Sequence, residues 1–170
     1  MVKRFRLAPM SPPIRVLTLV FLALPPALIV IGLWETRALL APGLVLVVID
    51  AWVWLRFRPS RFLVHDDRLE VIWPLKRREV HRGDITRVRL MDRQGLQKET
   101  GWGLRVGAGG LWGGFGWLWT QKRGIVQMYV SRTDGFVWIE RTHGRPWLIT
   151  PEKPESFVRA LSVRGSAAQD

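Results

Sequence analysis

Two uncharged runs dominate the first third of the chain. Val16 to Trp34 reads VLTLVFLALPPALIVIGLW, 19 residues without a charge, and Ala38 to Leu55 is a second run of 18 residues broken only by Asp50. At ~1.5 Å per helical residue the first spans roughly 28 Å, close to the ~30 Å hydrocarbon core of a bilayer. Neither run carries a polar stripe at helical spacing, so neither reads as a water-facing helix. Only Glu35, Thr36 and Arg37 separate them, which predicts a tight transmembrane hairpin over 16–34 and 38–55. Pro25-Pro26 removes two backbone donors in mid-run and predicts a kink. Asp50 lies near the inner end of its run. A carboxylate there is either hydrated and paired with a nearby arginine or a polar contact to a partner helix. The first run is long for a signal-peptide core and leads almost at once into the second, so cleavage is not expected.

Beyond residue 60 the period changes. Phe62–His65, Leu69–Trp73, Arg78–His81, Ile85–Met91, Phe115–Thr120, Ile125–Val130, Phe136–Glu140 and Arg145–Ile149 read as short strands separated by polar turns. Thr86, Val88 and Leu90 alternate with Arg87 and Arg89, the period of a half-buried strand. Three of the separators, 121–124, 131–135 and 141–144, end in glycine, suited to a turn position with positive φ. Regular strands of this kind predict an antiparallel sandwich or barrel. Thr150-Pro151-Glu152 then reads as a helix start, and Phe157, Val158 and Leu161 give one apolar face to a short helix that closes an open end of the sandwich. Residues 163–170 are expected to fray.

Charge places these parts. Lys and Arg number 26 against 14 Asp and Glu, a net charge of +12. Residues 1–61 hold eight basic and two acidic side chains and the remainder 18 and 12, so each part carries +6. The basicity is shared out and does not form a nucleic-acid-binding arm. Lys3, Arg4, Arg6 and Arg15 precede the hairpin, Arg56, Arg58 and Arg61 follow it, and only Arg37 stands at its tip. By the positive-inside rule both termini are expected in the cytoplasm, in a multi-pass protein of the inner membrane with residues 1–15 as a basic cytoplasmic segment. Trp34, Trp52, Trp54 and Phe57 stand where interfacial aromatics belong.

Four stretches carry a family resemblance: G-L-R-V-G at 103–107, G-G-F-G at 113–116, V-Q-M-Y-V-S at 126–131 and I-T-P-E-K-P-E-S-F at 149–157. Over about residues 60–162 the chain resembles the bacterial pleckstrin-homology-like domains, and the type with an N-terminal two-helix membrane anchor matches the hairpin as well. The resemblance implies a mainly-β PH-like fold after the hairpin, with two roughly orthogonal antiparallel sheets and one C-terminal helix. It implies no activity, and it brings no catalytic or binding residues. Phosphoinositide-binding PH domains carry basic residues around the loop between their first two strands. Here that turn is Asp66-Asp67-Arg68, and the triple basic run Lys76-Arg77-Arg78 falls in the next loop.

Catalytic signatures do not emerge. No P-loop and no G-x-S-x-G elbow occurs, and His65, His81 and His143 lack metal-ligand spacing. His65-Asp66-Asp67 and Glu70 read as turn chemistry. Cysteine is absent, so thiolate chemistry is excluded. Neither an enzyme nor a cofactor or metal is expected, and no small-molecule substrate is identified. Phe115, Trp117 and Trp119 share one strand face; this reads as sandwich core in preference to a base-stacking platform, and nucleic acid is not an expected partner.

Gly101 to Gly116 holds eight glycines. It reads either as a long mobile connection between the sheets or as a flexible carrier of Leu111, Trp112 and Phe115. In the second reading Trp112 and Phe115 dip into the membrane interface or a partner's groove, with Arg105, Lys122 and Arg123 suited to anionic headgroups. The expected function is a non-enzymatic, membrane-anchored binding or assembly module. Its expected partners are membrane lipids and a membrane protein or a second copy. The alternative is a sensor of anionic headgroups, which salt would weaken steeply.

Overall fold

A computed structural model describes residues 2–162; the expectation for residues 163–170 lies outside them. Two helices form the hairpin, α1 (Pro12–Trp34) and α2 (Leu40–Arg56). Both spans, Pro12–Trp34 and Arg37–Arg56, are long and apolar enough to cross a membrane. Most of their large apolar side chains are exposed, Val16, Leu19, Val30, Leu33, Leu44 and Val48 among them. α1 begins four residues before the apolar run, where Pro12 sits at its first position and loses no helical donor. Pro25 and Pro26 lie inside it without ending it. The helices close on small residues: a Cβ added to Gly43 would lie 2.8 Å from Ile29 Cγ1.

The β module has two sheets. In the first, β1 (Lys3–Arg6), β2 (Arg61–Val64), β3 (Arg68–Ile72) and β4 (Arg77–His81) run in that order, all antiparallel. In the second the order is β5 (Ile85–Met91), β9 (Phe136–Arg141), β10 (Trp147–Ile149), β8 (Gly124–Val130), β7 (Gly114–Thr120) and β6 (Gly103–Gly109). Helix α3 (Arg93–Thr100) follows β5, and α4 (Pro154–Ser162) ends the described chain. The fold class stands: two apolar helices, then a mainly-β domain of two sheets with a C-terminal helix.

One detail departs from an all-antiparallel arrangement. β10 turns back from β9 as a hairpin, with Leu148 opposite Trp138, and slots beside β8, whose direction it shares, with Leu148 opposite Met128. The inserted strand is buried on both faces, which explains the unbroken apolar run Trp147-Leu148-Ile149.

Packing follows from the alternation of side chains. Phe62, Leu69, Val71 and Val80 of the first sheet meet Phe115, Tyr129, Val137, Ile139 and Ile149 of the second. Phe157 of α4 plugs one end, edge-on to Phe5 at 5.1 Å and to Phe62 at 5.9 Å. On the other face of the second sheet, Leu118, Val126, Met128 and Trp138 form a separate core with Leu96 of α3 partly buried against it.

Three elements are not predicted by the pattern. β1 is the N-terminal basic segment, which pairs Lys3 with Val64 and Arg6 with Arg61. α3 is polar and contains Gly95, so it reads as a loop; Asp92 caps it by accepting from the Gly95 N–H at 2.6 Å. β6 lies within the glycine-rich stretch. That stretch is therefore a β-hairpin, not a mobile link between sheets: β6 pairs with β7 from Gly103–Thr120 to Gly109–Gly114. Gly107 and Gly116 oppose each other at φ of 136° and 128°. A Cβ on Gly116 would lie 2.7 Å from the Val106 carbonyl oxygen, so glycine is required there by close backbone approach.

Candidate functional site

The tip of the β6–β7 hairpin is seated on the helical hairpin of α1 and α2. Thr18 of α1 is buried and holds it from both sides: the Trp112 N–H donates to Thr18 Oγ1 at 2.9 Å, and the hydroxyl lies 3.1 Å from the Gly110 carbonyl oxygen. A Cβ on Gly110 would press on Leu17 and Phe21. Trp112 adopts the left-handed conformation at φ 57°, the one non-glycine residue to do so among the described residues. A bulky residue there is strained by about 1–3 kcal/mol. Its surroundings hold it: the ring packs edge-on to Trp54 of α2 at 4.9 Å, and the Arg58 guanidinium lies 4.3 Å from the Trp54 ring centroid. A second contact stands beside it. Trp73 Nε1 donates to the Phe57 carbonyl at 3.0 Å, and Lys76 lies over the Trp73 ring at 4.7 Å. Burial lowers the proton affinity of Lys76, with Arg56 and Arg78 adding to the effect.

The residues expected to form one contact patch are dispersed. Trp112 is 8% exposed and faces the two apolar helices of its own chain. Phe115 is 1% exposed; it is a core side chain packed in one cluster with residues of the first sheet. Lys122 and Arg123 lie in the β7–β8 turn, at the opposite end of β7 from Trp112. Lys122 donates to the Lys98 carbonyl at 2.9 Å, and Arg123 pairs with Glu99. Arg105 is exposed in mid-β6, one residue from each of Leu104 and Val106 and so on the opposite face. Asp50 lines a groove between the helices with Pro25, Pro26, Trp54 and Trp112. Among the described residues no group of three or more His, Asp or Glu could hold a metal ion.

What the sequence reading did not find is an open flank. Trp117 and Trp119 share the Phe115 face yet are 42% and 55% exposed, so the expectation that all three build the core holds only for Phe115. Val106 opposes Trp117, while Leu104 and Ile125 both oppose Trp119. Together they make an exposed apolar face across β6, β7 and the start of β8. β6 is also the terminal strand of its sheet. At the inner border of this face, Arg78, Arg141 and Arg145 gather around a cleft between β4 and the second sheet. Tyr129 beneath it is pushed up to about 12 by burial, against the pull of Arg78.

A mainly-β domain of two sheets closed by a C-terminal helix is consistent with a PH-like fold. The family model for the bacterial PH domain matches residues 60–165. The chain belongs to the bacterial PH domain family. No curated protein and no solved structure matches it. PH-like domains are in general non-enzymatic binding modules, so membership directs attention to surfaces. In this PH domain β1, outside the matched residues, completes the first sheet.

Proposed function

We propose that the protein is a non-enzymatic binding module of the inner membrane, with both termini cytoplasmic and the PH domain fixed against its anchor so that the flank over β6 and β7 faces a protein partner. Several features support the placement. β1 and β2 are neighbours, so the two outer ends of the helical hairpin lie on one side. The basic residues cluster at those ends, as cytoplasmic flanks do. The exposed side chains of the hairpin are those of a helix pair in lipid rather than of a buried core.

The observation that carries the function is the open flank. Exposed Leu104, Val106, Trp117 and Trp119 lie together on the last two strands of a sheet. An apolar face on an unpaired edge is costly to leave bare, because it invites association. Aromatic residues of this kind dominate interface energetics. A foreign segment can approach β6 with either polarity. A second copy in the same bilayer is restricted to the polarity that keeps its own hairpin tip on its own anchor.

A photo-crosslinker at Val106 or Trp119, in cells making the full chain, tests this reading. A discrete adduct with another membrane-associated protein is expected, and the Leu104→Lys/Val106→Lys variant should lose it while keeping its fold. Adducts only to lipid, or only to a second copy, overturn the assignment. Headgroup sensing is the second reading. Exposed Leu75 beside Lys76, in the turn that touches Phe57, favours it. It predicts salt-sensitive protection of Leu75 in anionic nanodiscs.

A further inference from the structure

Where the first sheet ends at β4, a cleft of about 400 Å³ opens toward β8 and β10, lined by Arg78, Arg141, Arg145, Trp117, Gln127 and Trp147. Arg78 projects from the core side of β4, the side of buried Val80. It donates to Gln127 Oε1 at 2.5 Å and Tyr129 Oη at 3.4 Å. The Arg141 guanidinium lies 5.2 Å from the Trp147 ring centroid. Arg145 is exposed at the mouth.

Three cations are thus gathered without an ion pair to any carboxylate among the described residues. Glu79, also on the cleft, pairs with Arg68 Nε at 3.6 Å, and Asp84 faces His143 Nδ1 at 3.6 Å. Two buried donors there have no acceptor, Trp147 Nε1 and Arg141 Nε. Burial lowers the proton affinity of Arg141; Asp84 opposes this and Arg78 adds to it. Among the described residues, buried Nε atoms without a hydrogen bond also occur on Arg58, Arg68, Arg82 and Arg89, so this cleft is set apart by its crowded like charges and by the buried indole N–H of Trp147. Trp117 lines the cleft and belongs to the exposed apolar face as well, so cations and apolar surface are continuous.

We propose that this cleft reads an acidic side chain on the partner, so that the module recognises a protein segment in which an Asp or Glu stands beside aliphatic or aromatic residues. The carboxylate enters between Arg78, Arg141 and Arg145, where a guanidinium can hold it with two parallel hydrogen bonds. The flanking apolar residues lie over Trp117, Trp119, Val106 and Leu104. This rests on the protein-binding reading given above and names the chemistry of the partner.

Selection of short displayed peptides on the full chain in non-ionic detergent micelles tests it. Recovered peptides are expected to share an acidic residue within an apolar stretch. A selected peptide carrying Glu should bind about tenfold more tightly than its Gln counterpart, a difference of about 1.4 kcal/mol. Arg145→Gln should reduce that preference, read as the ratio of the Glu peptide's affinity to the Gln peptide's. Arg145 is exposed and makes no hydrogen bond among the described residues, so this variant retains the fold. Arg145→Lys should keep part of the preference, since charge survives but the fork is lost. Apolar peptides without an acidic residue would overturn the inference and leave the protein-binding function standing. A Glu preference that survives Arg145→Gln in combination with Arg78→Gln would also overturn it. So would an anion response to inorganic phosphate or phosphatidylglycerol vesicles with no peptide selected.

Discussion

Phe115 and Trp119 lie on the same face of one strand and meet opposite surroundings. Phe115 is sealed under the first sheet, while Trp119, four residues on, stands in the open. The strand's alternation assigns both to one face. It says nothing of what lies across from that face. The first sheet has four strands and the second six, so the smaller one leaves β6 and the far part of β7 uncovered. The same chemistry is therefore core at one end of β7 and interface at the other.

The largest expected effect breaks this pair apart. Phe115→Ala should destabilise the chain by about 3–5 kcal/mol, the cost of emptying a buried aromatic site. Trp119→Ala should stay within about 0.5 kcal/mol, as exposed substitutions do. Chemical denaturation of both variants in micelles measures the difference. Equal costs would mean that Trp119 is covered in the working protein and that the flank is not free.

A smaller effect is expected at the tip, where β7 begins. Thr18→Val removes the acceptor of the Trp112 N–H and the hydroxyl beside the Gly110 carbonyl. Leaving such groups unsatisfied costs about 1–3 kcal/mol. Amide exchange should rise at residues 110–113 and remain slow at Trp138, which lies in a different core cluster. Faster exchange throughout would show that the tip supports the whole domain, not its attachment to the anchor.

The parts legible in the sequence were those with an uninterrupted signal. The helical hairpin follows from two charge-poor runs, and eight strands from short apolar blocks between turns. The remaining elements were hidden for separate reasons. β1 is a basic segment whose strand character comes from pairing with β2, residues 61–64, far along the chain. β6 reads Gly-Leu-Arg-Val-Gly-Ala-Gly, and glycine lowers strand propensity even where, as at Gly107, close backbone approach requires it. On β5 a register shift falls between Ile85 and Arg87, and beyond it Leu90 is exposed although it shares the face of half-buried Val88. The proposed site was the least legible. Its arginines stand at 78, 141 and 145 and meet only once β4 folds over β8 and β10. Trp112 did stand out in the sequence, but its neighbour is this chain's own Trp54.

The smallest expected effect lies on the opposite face of the second sheet, where charges are satisfied rather than gathered unpaired. Glu99 of α3 accepts from Arg123 and, at 3.2 Å, from Arg89, which also donates to Glu140 at 2.7 Å. The Arg123 hydrogen bond, then that of Arg89, holds the Glu99 carboxyl below the usual glutamate range, against a weaker opposing effect of burial. The unfolded chain therefore takes up this proton at a higher pH than the folded one. The contribution is complete above the ordinary glutamate range and is lost as pH falls through the lowered folded value. Arg123 is largely open to water, so screening keeps the gain within about 0.2–1 kcal/mol. Glu99→Gln should cost no more than about that at neutral pH and should flatten the fall in stability on acidification. Denaturation midpoints measured across the acid range read both effects. An unchanged acid slope would show that this network contributes nothing measurable. Arg145→Gln, across the sheet, should leave the same slope untouched, because among the described residues Arg145 has no carboxylate partner whose proton could be lost.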